Sequence, residues 1–269
     1  MLKKQLYEHF FEGGPLSISN RSFSDAYTDL YNLLNDSSFV IQNDKQHFES
    51  VEHSFLNIYK KDLRTFAGRV YEQMQRSKGL QAEDQVGEMA RWINIFGRFN
   101  HWIFKMFMIL ERNAMMAQGI KLYFEGIKIL KELVFDRSYE DIYRNVYQTL
   151  ELFKDGKLNA FEPLQTVIKY IGVVGFTKFK LVEMVKTRDG RFEYSSKKEP
   201  NQPAEHPSET GYFKTKFLSR LVKDLKLKYS QLVVGMAQLS TPEYFEKARY
   251  YIEKEEATAD LFYGHGSVK

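Results

Sequence analysis

Few residues in this chain are of the type and spacing that chemistry requires. His47, Glu49, Glu52 and His53 are close in sequence and have the donor types for a metal ion. Solvated side chains at a helix start explain them better. Helical di-iron sites need a carboxylate-x-x-His pair twice. Here it occurs once, at Asp44-Lys45-Gln46-His47, in a stretch read as loop. The chain has no cysteine, which excludes disulfides, thiolate zinc sites and a cysteine nucleophile and fits a reducing compartment. A glycine loop with lysine for phosphate, an H-E-x-x-H helix and a G-x-S-x-G elbow are all missing. His101, between Asn100 and Trp102, reads as a core histidine, and the Glu255-Glu256 pair as surface. No active site, metal or cofactor is expected, and binding or scaffolding is left by elimination.

Recognition has better candidates than catalysis. From Ser22 to Asn35 the sequence reads as a helix, with Ser22 as N-cap and Asp25 at the third position. Phe23, Tyr27 and Tyr31 recur four residues apart, so their rings line one face. Such a stripe is either buried core or a ridge left outside for a partner. Aromatic residues suit the second role because they bury much area at little entropic cost.

The elements that must position this ridge read as helices throughout. Residues 2–12 could form a short helix stopped by Gly13-Gly14-Pro15. Val51, Phe55, Tyr59, Leu63, Phe66, Val70 and Met74 mark a long amphipathic helix, broken at Ser77-Lys78-Gly79. Trp102 to Met116 is apolar on nearly every side and reads as a central helix. Helices follow over 120–135, from Ser138 (a second cap, with Asp141) to Phe153, along Leu164 to Ile171, and at about 176–187. Asp155-Gly156 is expected to turn the chain. Residues 188–211 are polar with three prolines and read as an exposed loop. Phe213 to Leu239 resumes helix with a basic face from Lys214 to Lys228, and Thr241-Pro242 starts an acidic helix. The basic and acidic helices are expected to pair with each other or to be solvated. A five-helix unit at 20–135 recurs loosely at 138–263, which suits a stacked helical array.

Several stretches resemble, in order, the N-terminal domain of the cullin family. Ser22-Phe23 with Tyr27 and Tyr31 resembles its second helix. Ile109-Leu110-Glu111-Arg112, then Leu122-Tyr123 with Gly126-Ile127-Lys128-Ile129-Leu130, resemble the later helices of its first repeat. Leu152 to Gly172, with the turn Lys154-Asp155-Gly156-Lys157, and Ser240 through Glu256 resemble its second repeat. The resemblance implies an all-α, elongated stack of five-helix repeats. Its divisions are an extension at 1–19, repeat 1 at 20–137, repeat 2 at 138–263 with an insertion at 188–211, and a tail at 264–269.

It also implies a non-catalytic scaffold of a ubiquitin ligase, gripping a BTB-fold or Skp-type adaptor. Carried over by position, the adaptor site is Phe23, Tyr27 and Tyr31 with Tyr123 and Ile127. Ala26 stands where a larger residue is implied, and Ser24 where an acidic one is. Nothing after Gly264 could form a RING-binding domain, so a fragment or a truncated relative is expected. A RING protein would be a partner only through a further domain.

The net charge of +4 is modest for a nucleic-acid binder. The alternative is a helical module that takes nucleic acid or an acidic partner on the Lys214–Lys228 face. No apolar run is long enough to span a membrane and the N-terminus is not a secretory signal, so the expected address is cytoplasm or nucleus.

Overall fold

The computed structural model describes residues 45–112, 122–176, 184–186, 192–194 and 210–263, together with Asp25, Thr28, Asp29 and Asn32. Seven α-helices carry most of these residues: α1 (Lys45–Arg76), α2 (Ala82–Arg112), α3 (Leu122–Leu130), α4 (Tyr139–Lys154), α5 (Glu162–Val173), α6 (Ser219–Met236) and α7 (Thr241–Tyr263). Helix α3 runs on into a π-helical turn at Lys131–Phe135, and another at Phe213–Leu218 leads into α6. The described part is therefore all-α, apart from one small hairpin. In it β1 (Met184–Lys186) pairs antiparallel with β2 (Phe192–Tyr194), with Val185 opposite Glu193. This overturns the helix expected to reach residue 187. The sequence between the strands, Thr187-Arg188-Asp189-Gly190, is of turn-forming type.

The chain divides into two compact units. Unit 1 takes residues 1–72 and 92–134, and unit 2 takes 73–91 and 135–269. In unit 1, Tyr59, Leu63 and Phe66 of α1 are fully buried with Ile93, Phe96, Phe99 and Ile103 of α2, each series at helical spacing. Phe66 stacks on Phe99 with ring centroids 3.8 Å apart. His101 is exposed, not core, because it lies two residues from both buried Phe99 and Ile103, on the other side of the helix.

In unit 2, Ile142, Val146 and Leu150 of α4 are buried, as are Leu164, Val167 and Ile171 of α5 and Phe213, Phe217 and Leu221 before and in α6. Residues 73–91, expected in the first repeat, cluster here because their polar side chains find partners here. Gln75 donates to the Ser138 hydroxyl (3.2 Å), and Asn145 donates to Gln85 (2.7 Å). The Glu83 carboxylate accepts from the backbone N–H of Asn159 (2.9 Å). Ser138 consequently makes no side-chain cap on α4, although it occupies the cap position.

Two helix ends explain how the chain turns. At the end of α4, the Gly156 N–H bonds the Phe153 carbonyl and the Lys157 N–H bonds the Leu152 carbonyl, both at 2.9 Å. This is a Schellman motif, and it needs the positive φ of +68° that Gly156 adopts. At the start of α7 the cap is Ser240, one residue earlier than expected. Glu243 accepts from the Ser240 N–H (3.0 Å) and hydroxyl (2.6 Å), which holds its carboxyl below the usual range. Pro242 needs no amide partner so close to a helix start.

Thr210 joins the chain just before α6 and its leading π-helical turn to α5. Its hydroxyl donates to the Gly172 carbonyl (3.2 Å) and accepts from the Phe213 N–H (3.2 Å). Thr210→Val keeps the shape and removes both bonds, so it should lower stability by about 2 kcal/mol, read as a lower urea midpoint at unchanged slope. A midpoint equal to wild type would show that these bonds contribute nothing.

Candidate partner-docking surfaces

Of the five residues expected to form the adaptor ridge, the structure describes Tyr123 and Ile127. Asp25, Thr28, Asp29 and Asn32 are helical and exposed, at spacings of one helix face. Phe23, Tyr27 and Tyr31 lie outside the described residues. On α3, Tyr123 is half-buried, with its ring edge-on to Phe104 at a centroid distance of 6.0 Å. Ile127 is 1% exposed, which corrects its assignment as a docking residue: its side chain is core. Four positions apart on a 3.6-residue helix leave a rotation of about 40°, enough to take one residue to the rim and the other inside.

Tyr123 owes its position to a buried polar node beneath α3. The Tyr59 hydroxyl donates to the Leu122 carbonyl (2.7 Å) and lies 3.1 Å from Asn100 Oδ1. Asn100 Nδ2 donates to the Tyr123 carbonyl (3.4 Å). One tyrosine and one asparagine therefore tie α1 and α2 to the first turn of α3. Glu125 on the same helix takes Lys60 (3.1 Å) and Lys128 (2.9 Å). Burial raises its pKa, but the hydrogen bonds from Lys128 and Lys60 outweigh that and leave it below the ordinary value.

The second surface is the basic face of unit 2. Lys214, Lys216, Lys223 and Lys226 are exposed. Arg220 and Lys228 are not available in the same way, because they belong to a ladder between α4 and α6. Arg220 lies 4.1 Å from the Tyr143 ring centroid and bonds both Glu140 oxygens at 2.8 Å. The Tyr143 hydroxyl donates to Asp224 (2.6 Å), and Lys228 pairs with Glu151. Burial, then the Asp224 carboxylate, pushes the Tyr143 pKa far up, so it stays a neutral donor. The signal was in the sequence: Tyr139, Tyr143, Tyr147 and Glu151 step by four, as do Arg220, Asp224 and Lys228.

The acidic helix behaves likewise. Glu255 of α7 takes Lys154 of α4 at 2.5 Å, and Lys254 takes Asp155 at 2.9 Å. The pairing expected between α6 and α7 is thus replaced by pairing of each with α4 and its terminal turn. Glu255 does accept the Tyr229 hydroxyl of α6 (2.5 Å).

A third surface was not foreseen. Helices α6 and α7 leave large apolar side chains in the open: Leu227 is 61% exposed, Val234 75%, Phe245 66% and Ile252 59%. Between the helices runs a groove of about 520 Å³, lined by Tyr229, Leu232, Met236, Tyr244, Ala248 and Tyr251 among others.

Among the described residues no group of three or more His, Cys, Asp or Glu could hold a metal ion. The side chains of His47, Glu49, Glu52 and His53 lie outside those described, although Lys45 to His53 are helical rather than loop. No described helix is long and apolar enough to cross a membrane. Comparison with protein-family models, with curated proteins and with solved structures finds no match to the chain.

Proposed function

We propose that the chain is a non-catalytic docking scaffold resembling the N-terminal arm of a cullin-RING ubiquitin ligase. Its partner is a BTB-fold or Skp-type adaptor, taken on a ridge of Phe23, Tyr27, Tyr31 and Tyr123. The observation that carries the reading is the placing of Tyr123. It stands at the rim of unit 1 on a short helix whose first turn is fixed from below by Tyr59 and Asn100. An anchor held rigid before binding loses little entropy on docking. Of the family motifs on described residues, Leu122 to Leu130 is α3, the turn at Gly156 ends α4, and the stretch after Ser240 lies on α7.

Affinity capture with the two adaptor types tests this. Tyr123→Ala should weaken capture about 30-fold, as loss of a 2 kcal/mol hot spot does, with the helical circular dichroism unchanged. Tyr31→Ala should do the same. Equal capture by wild type and both variants would remove the site. The exposed lysines favour a second reading, binding of nucleic acid or an acidic partner along Lys214–Lys226. Such binding should collapse as salt is raised, whereas docking on an aromatic ridge should change little.

A further inference from the structure

The first turns of α2, the C-terminal half of α4 and the start of α5 border a pocket of about 370 Å³ in unit 2. Leu80, Val86 and Pro163 give it apolar walls, and Glu83, Asp84 and Glu88 give it carboxylates. Glu83 is committed to the fold, accepting from the backbone N–H groups of Asn159 (2.9 Å) and Ala160 (3.3 Å). Glu88 takes Arg91 of its own helix at 3.4 Å. Asp84 is exposed, and its carboxylate has no partner among the described residues. Three carboxylates against one guanidinium leave the site at −2. Acidic residues in a first helix turn suit the helix dipole, so by themselves Glu83 and Asp84 argue for no ligand. Thr149 of α4 does. It lines the same pocket and is 1% exposed, and its hydroxyl oxygen is buried with no hydrogen-bond partner. Asn145, four residues earlier on the same face of α4, donates to Gln85 of α2 at 2.7 Å, so this face is turned to the first turns of α2. A buried hydroxyl without a partner costs stability, and a valine of the same shape would remove that cost.

We propose that this pocket binds an alkylammonium group, the end of a lysine side chain or of a small free amine. An ammonium is all donor, which is what an unsatisfied hydroxyl oxygen and an unpaired carboxylate both lack. The Thr149 oxygen accepts from it, and the carboxylates of Asp84 and Glu88 balance its charge. Its methylene stem lies against Leu80, Val86 and Pro163. The occupant is an organic cation and not a metal ion, because among the described residues no group of three or more His, Cys, Asp or Glu could hold one. The site lies in unit 2 and does not depend on the adaptor reading.

Amide-resolved NMR titration of the whole chain tests this with two probes, Nα-acetyl-lysine methylamide for a peptide source and n-butylammonium for a free amine. One or both should give saturable shifts confined to residues 80–88, 149 and 160–162 in the millimolar range, and the probe that saturates first identifies the source. Nα-acetyl-norleucine methylamide, which has the stem without the charge, should give none. Asp84→Asn should weaken binding about tenfold, as loss of one contact to a charged group does. Thr149→Val should weaken it as much, whereas Thr149→Ser should bind like wild type. Thr149→Val should also raise the urea midpoint, because no bond within the fold is lost. No saturable shift with either charged probe, or equal shifts with the norleucine probe, would overturn the proposal. So would a lowered midpoint in Thr149→Val, which would mean that water or the backbone already satisfies the hydroxyl.

Discussion

Gly126→Ala should destabilise the protein by about 3 kcal/mol, far more than a glycine-to-alanine change in a helix usually does, which is favourable by about 1 kcal/mol. A Cβ at residue 126 would lie 2.1 Å from Asn100 Oδ1. Asn100 is completely buried, so its amide has no solvent to retreat into. Moving it breaks the contact with Tyr59 and the bond to the Tyr123 carbonyl. Overpacking of this kind costs about 1–3 kcal/mol, and an orphaned buried polar group about as much again. The helix preference of alanine recovers only part of this. Urea unfolding should show a lower midpoint at unchanged slope. Asn100→Ala should also be costly, but the double variant should cost less than the sum, since the new methyl then enters the space the amide left. A Gly126→Ala midpoint within error of wild type would mean that α3 can shift freely, and the fixed anchor at Tyr123 would go with it.

Lys154→Met should cost about 2 kcal/mol at neutral pH, below the 3–5 kcal/mol of a fully buried pair because both partner carboxylates keep some water. The lysine side chain is only 4% exposed, and its Nζ sits 3.1 Å from Glu151 and 2.5 Å from Glu255. Without it the two carboxylates are left with Lys228 and the Tyr229 hydroxyl. Burial raises the Glu151 pKa, but the bond from Lys228 and the charge of Lys154 together bring it below the ordinary value. A carboxylate depressed in the folded state stabilises the protein above its unfolded pKa of about 4.3. That contribution is lost as pH falls through the lower folded value. The gap between Lys154→Met and wild type, followed by urea midpoints from neutral pH downward, should therefore narrow in acid. A gap that stayed constant would show that Lys154 acts by packing alone.

These two sites show how unevenly the molecule can be read from its residues. Helix α1 was legible because its buried residues, Tyr59 to Met74, keep one spacing over many turns. The turn at Asp155-Gly156 was legible because the backbone there needs a positive φ and glycine supplies it. The start of α7 was misread by one residue, because Ser240 and Thr241 can both cap and only the reach of Glu243 selects between them. The hairpin at 184–194 was misread because three-residue strands show no periodicity to distinguish them from a helix end. Of the adaptor ridge, residue types suggested a set, but they did not separate the rim position Tyr123 from the core position Ile127.

Local rules alone settled that the described part of the chain is mostly helical, where most described helices begin and end, and which of their faces are apolar. Those properties depend on spacing and on end residues, both of which are short-range. Partner choice depended on the tertiary structure. The lysines of α6 and the glutamates of α7 had matching charges, yet packing against α4 gave Lys228 to Glu151 and Glu255 to Lys154. Likewise, an apolar stripe on a helix requires some cover, and only the three-dimensional arrangement shows that Leu227, Val234, Phe245 and Ile252 receive none within the described fold. Burial and pairing are set by what other segments bring alongside, and segments far apart in sequence carry no record of that in their own residues.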